Sequence, residues 1–68
     1  MTVQVHVNGQ AREFAAGSTV DQVVAAVTDL DAGIAVAVNG EVMPRRGWPG
    51  TPVGEGDQIE IVTAVQGG

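Results

Sequence analysis

The dipeptide Asn-Gly occurs twice in this 68-residue chain, at Asn8-Gly9 and Asn39-Gly40, each time between short runs rich in β-branched residues. Few local features restrict a fold as strongly. A two-residue type I′ hairpin needs positive φ at both central positions, and Asn followed by Gly tolerates that best. Thr2 to Val7 alternates, with Val3, Val5 and Val7 on one side and Thr2, Gln4 and His6 on the other, the period of a half-buried strand. Gln10 to Phe14 returns from the first turn, which sets Phe14 opposite Val3 and Arg12 opposite Val5. The Arg12 stem then lies over the core rim with its head in water. Ile34 to Val38 is a continuous apolar run, the profile of a central strand. The second Asn-Gly turns it into Glu41 to Met43, and Pro44, which cannot donate to a ladder, stops it there.

Between the hairpins, Ala15-Ala16-Gly17 reads as a loop and Ser18-Thr19 as a helix start. Thr19 and Gln22 have capping-box spacing, and Val20, Val23, Val24 and Val27 follow as one helical stripe. Valine is a mediocre helix former, so this helix depends on what it packs against. Asp29 to Gly33 ends it. Arg45 to Gly56 is rich in Gly and Pro and reads as mostly irregular chain anchored by Trp48. Gln58 to Thr63 alternates again, with Ile59 and Ile61 on one side. The predicted architecture is α+β: a β-grasp (ubiquitin-like) mixed sheet of four or five strands, crossed by one helix, with the last strand parallel to the first. Residues 1–63 form that domain, and 64–68 a flexible tail.

Composition removes whole classes of function. The formal charge is −5, with Arg12, Arg45 and Arg46 as the basic side chains and no lysine. Such a chain repels phosphate backbones, which argues against nucleic acid and for a basic patch on a protein partner. Without cysteine there are no disulfides, thiolate nucleophiles or cysteine metal sites, and His6 alone cannot make a zinc centre, so no metal is expected. Asp29-x-Asp31-x-Gly33 faintly echoes a calcium loop, but its twelfth position is Gly40 where a glutamate is required. No apolar stretch suggests a signal peptide or a membrane span, and the cytoplasm is the expected compartment.

A convergent set of nucleophile, base and orienting group is missing, Ser18 being better explained as part of the helix start, so the chain is not expected to be an enzyme. Outward-facing His6 reads as an ordinary exposed strand residue. Arg45, Arg46 and Trp48 permit two readings: a contact cluster for a partner, or a loop pinned by one buried indole beside solvated guanidiniums.

The sequence closes on Ala64-Val65-Gln66-Gly67-Gly68. Five extended residues reach roughly 17 Å past the strand. Glycine fits a channel too narrow for a Cβ, so this segment is suited to insertion into a partner, where it presents the α-carboxylate of Gly68 as a group to be modified.

These residues together resemble the ubiquitin-like sulfur carrier family, and within it the ThiS-type carriers of thiamine biosynthesis. The likeness spans essentially the whole chain. It rests on the opening hairpin Val3 to Gly9, on Met43-Pro44-Arg45-Arg46-Gly47-Trp48, and on the stretch Gly56 to Gly68. The Gly- and Pro-heavy segment Gly47 to Gly56 departs from it. The resemblance implies that an E1-like adenylating enzyme, using ATP and Mg²⁺, attaches AMP to the Gly68 carboxylate. Sulfur from a cysteine desulfurase then replaces AMP, and the resulting thiocarboxylate is spent inside thiazole synthase. The chain binds no cofactor itself and acts as a cosubstrate.

From the inferred sheet, Val62 points away from the core beside Ala35 and Ala37, a low apolar patch rimmed by carboxylates such as Glu60 and suited to docking. Three other readings stay open: a carrier for molybdopterin or another sulfur-containing metabolite, a protein modifier, or a non-covalent β-grasp interaction module.

Overall fold

A computed structural model describes residues 1–29 and 33–63. Both Asn-Gly pairs form the turns their chemistry favours: φ is 52° and 83° at Asn8 and Gly9, and 53° and 86° at Asn39 and Gly40. Strand β1 (Thr2–Val7) pairs antiparallel with β2 (Gln10–Ala15), setting Val3 opposite Phe14 and Val5 opposite Arg12 as expected. The second strand runs one residue further than its alternation suggests, because Ala15 still pairs with Thr2. Strands β3 (Ile34–Val38) and β4 (Glu41–Met43) make the second hairpin, with Ala37 opposite Val42.

Helix α1 (Val20–Val27) starts where the capping pattern places it. The Gln22 side chain accepts the Thr19 N–H at 2.9 Å, and the Thr19 hydroxyl donates to the Asp21 carboxylate, so polar groups at the helix entry are satisfied locally. Val20, Val23 and Val24 are buried and Val27 partly so. Each buried valine contributes on the order of 1.5–3 kcal/mol, which offsets the poor helix propensity of the type. Backbone bonds from Val20 N–H to the Thr51 carbonyl (2.9 Å) and from Val53 N–H to the Ser18 carbonyl (2.8 Å) tie the helix entry to the segment before the last strand.

That segment is more ordered than its Gly and Pro content suggests: Arg45–Gly50 forms a 3₁₀ helix. Its anchor is tertiary. Trp48 is only 4% exposed, and its indole N–H donates to the Met43 carbonyl at 3.0 Å. A 3₁₀ turn needs only i to i+3 bonds, such as Gly47 N–H to the Pro44 carbonyl, and so accommodates Pro49.

Strand β5 (Gln58–Thr63) lies in the middle of a five-stranded sheet of order β2-β1-β5-β3-β4. It runs parallel to β1, with Val7 beside Ile59, and antiparallel to β3, with Val36 beside Ile61. The mixed sheet and the parallel first and last strands agree with the β-grasp expectation. Val5, Val7, Val36, Ile59 and Ile61 meet the helix valines, Trp48 and Val53 in one core. No described helix is long and apolar enough to cross a membrane. The helix ends at Val27, with Thr28 as its C-cap, earlier than Asp29 to Gly33 suggests; residues 30–32 of that stretch and the expected tail, 64–68, lie outside the described residues.

Candidate functional site

One face of the sheet is occupied by α1 and Trp48. The other is where Ala35, Ala37 and Val62 are expected to gather, and strand register brings them there. Residues directly opposite on neighbouring strands share a face; Val62 lies opposite Ala35, and Glu60 opposite Ala37. Ala35 is exposed, Ala37 half-buried, and Val62 60% exposed. Val42, opposite Ala37 from the other side and 77% exposed, extends the patch to the sheet edge. Sequence reasoning missed it, although the signal was present: Met43 packs inward on the core, so its strand neighbour must point out.

The apolar residues occupy the β5-β3-β4 side of this face, with Glu60 among them. On the β1-β2 side the same face carries Thr2, Gln4 and His6, with Ala11 and Glu13 opposite His6 and Gln4. Strand β5 brings the chain to Thr63, adjacent to Val62. The patch therefore adjoins the root of the segment that ends at Gly68. Ala64, Val65, Gln66, Gly67 and Gly68, assigned above to insertion and modification, lie outside the described residues.

The Arg45, Arg46 and Trp48 group is divided by the structure. Trp48 is the buried anchor, whereas both arginines are exposed. The Arg45 guanidinium sits 5.3 Å from the indole centroid, within range of a cation–π contact. A shallow groove between α1 and the 3₁₀ helix is floored by Val24 and Trp48 and bordered by Asp21, Asp29 and Arg45. It lies on the helix side, remote from the apolar patch. Ser18 lies in the turn just before the helix, its N–H donated to the Ala15 carbonyl and its own carbonyl accepting Val53 N–H. Half-buried His6 is on the open face. Among the described residues no three His, Cys, Asp or Glu side chains are grouped to hold a metal ion. The described residues thus offer an exposed apolar patch beside the end of β5 and assemble no acid–base or nucleophilic centre.

Comparison with known proteins gives a consistent picture. The model of the ThiS family matches residues 5–68. The chain is 36% identical over 66 residues to the sulfur carrier protein ThiS of Escherichia coli (strain K12), covering 97% of this chain and 100% of that protein. It is also 32% identical over 62 residues to a thiazole synthase of Paramagnetospirillum magneticum, a match spanning 91% of this chain but 19% of that protein. A crystal structure of the thiamine biosynthesis protein ThiS from Geobacter metallireducens matches with a TM-score of 0.75 at 28% identity, over 97% of this chain and 100% of that one.

Proposed function

The chain belongs to the ThiS family, and from that premise we propose that it is the sulfur carrier of thiamine biosynthesis, loaded at the carboxylate of Gly68. The observation that carries this reading is its relatedness to a sulfur carrier along nearly the whole of both chains. The chemistry explains the need for loading. A carboxylate is a poor acyl donor because oxide is its leaving group. Attack of a Gly68 oxygen on the α-phosphorus of ATP, with Mg²⁺ on the phosphates and pyrophosphate departing, gives a mixed anhydride that can expel AMP. An E1-like enzyme supplies that step. The outer sulfur of a cysteine desulfurase persulfide then attacks the acyl carbon and AMP departs. A thiol cleaves the S–S bond of the resulting acyl disulfide, leaving the thiocarboxylate and forming a disulfide with the desulfurase cysteine. The chain is consumed and recharged; it does not catalyse.

Thiazole synthase is the acceptor's enzyme. The segment of a thiazole synthase that resembles this chain supports that pairing, since two functions joined in one polypeptide in one organism commonly act together. Val62, Ala35, Ala37 and Val42 form the docking face for these partners. Ala64 to Gly67 thread the carboxylate into their channels, and the net charge of −5 steers the carrier toward basic surfaces. The reaction is assigned to the cytoplasm.

The test is incubation with the adenylating enzyme, ATP and a sulfur source, followed by thiol-selective alkylation mapped to the C-terminal peptide. Exchange of oxygen for sulfur alone nearly coincides in mass with oxidation of Met1 or Met43, so alkylation is essential. One residue added after Gly68 abolishes labelling if the carrier reading is right. Labelling that survives the extension overturns it.

A further inference from the structure

Both Asn-Gly turns do a second task, and the two tasks differ. In the first turn, the Asn8 backbone N–H donates to the Ile59 carbonyl at 2.9 Å, continuing the parallel ladder of β1 and β5. Then β1 is over, because the chain turns, while β5 continues to Thr63. The Asn8 side chain takes the next rung: Ile61 N–H donates to Asn8 Oδ1 at 2.8 Å, and Asn8 Nδ2 donates to the Ile61 carbonyl at 3.2 Å. One carboxamide, with its donor and acceptor side by side, thus stands in for the missing peptide group of a strand. In the second turn, Asn39 works at the opposite end of β5. Its N–H donates to the Gln58 carbonyl at 2.7 Å, its Oδ1 accepts Gln58 N–H at 3.0 Å, and its Nδ2 donates to the Asp57 carboxylate at 3.1 Å.

The exit of β5 is therefore held from two sides by unlike means. On one side β3 pairs with it as far as Thr63, with Ile34 opposite. On the other, beyond Ile59, the hold among the described residues is Asn8. Remove that carboxamide and the last stretch of strand before the C-terminal segment hangs from β3 alone, free to twist about it. We propose that Asn8 is a positioning residue, aiming the segment that begins after Thr63 into the channel of the loading enzyme. This rests on the carrier reading above. In that scheme the apolar face governs docking and hence KM, whereas the fixed direction of β5 governs how often a docked carrier presents its carboxylate, hence kcat.

The positive φ of Asn8 supplies a clean variant. Asn8→Gly is compatible with the turn's positive φ and removes the carboxamide together with its Cβ. Asn8→Asp keeps an acceptor for Ile61 N–H but faces the Ile61 carbonyl with a second oxygen where the donor was. Asn39→Gly is the control, making the same change in the same turn type but at the entry of β5. Charging kinetics are followed by C-terminal thiol alkylation at a temperature where all variants are folded, with amide exchange at Ile61 measured alongside. Asn8→Gly is expected to lower kcat about tenfold with KM within about twofold, with Asn8→Asp between it and the parent. Asn39→Gly should leave kcat within about twofold, and Ile61 exchange should rise in Asn8→Gly alone. An unchanged kcat in Asn8→Gly, or an equal fall in Asn39→Gly, overturns the assignment while the carrier reading stands. Failure of the parent protein to be charged at all overturns both.

Discussion

The inner face of this sheet and the β5-β3-β4 part of its outer face both carry small aliphatic side chains, yet they sit in opposite surroundings. The inner face presents Val5, Val7, Val36, Ile59 and Ile61 to a helix and an indole and is closed to water. Its outer counterpart presents Val62 and Val42 at 60% and 77% exposure, with Ala35 and Ala37 between them. On the β5-β3-β4 side, what separates them is chiefly cover. Among the described residues one α-helix lies on one face, which leaves the apolar side chains of the other as the docking surface proposed above. Within the outer face a second contrast appears, since the β1-β2 side is polar and the β5-β3-β4 side apolar. The apolar side is the one that borders the chain's exit.

Substitutions should separate these surfaces by both size and kind of effect. The largest belongs to the inner face. Ile59→Ala removes the bulk of a side chain that is 1% exposed and should lower unfolding free energy by about 2–5 kcal/mol, read from urea titration of Trp48 fluorescence. A loss below about 1 kcal/mol would mean that the core closes around the hole, against the close packing inferred. On the outer face, Val62→Arg should leave stability within about 0.5 kcal/mol. Its effect is functional: KM for charging should rise about tenfold, the cost of a central charge in a desolvated contact, while unchanged kinetics would remove the patch from the docking surface. Smallest of all is Glu13→Gln on the polar side, expected to move neither stability nor charging by more than about 0.5 kcal/mol. A clear loss of charging there would extend the docking face across the whole sheet.

Most of the fold was legible because its turns are chemically specific. Asn8-Gly9 dictates a tight hairpin, and a two-residue turn leaves only one register, the one that sets Phe14 against Val3 and Arg12 against Val5. The helix was readable from its valine stripe and from Thr19 and Gln22. By contrast, the 3₁₀ helix Arg45–Gly50 was hidden, since its stability comes from burying Trp48 and from an indole bond to Met43, neither of which local propensity records. The patch Ala35, Ala37 and Val62 followed from alternation, and Val42 would have too had Met43 been recognised as core. The double use of Asn8 was out of reach: its amide meets Ile61 across 53 residues of sequence, and a turn signal carries no hint of such a contact.

The adjacency of His6 and Gln58 in the centre of the sheet bears on how this molecule is born. A growing polypeptide that has not yet reached Thr63 has both hairpins and the helix in hand but lacks the strand that pairs with β1 on one side and β3 on the other. Closing so long a loop is slow compared with forming either hairpin. The five-stranded sheet is therefore completed only once the strand ending at Thr63 has been made.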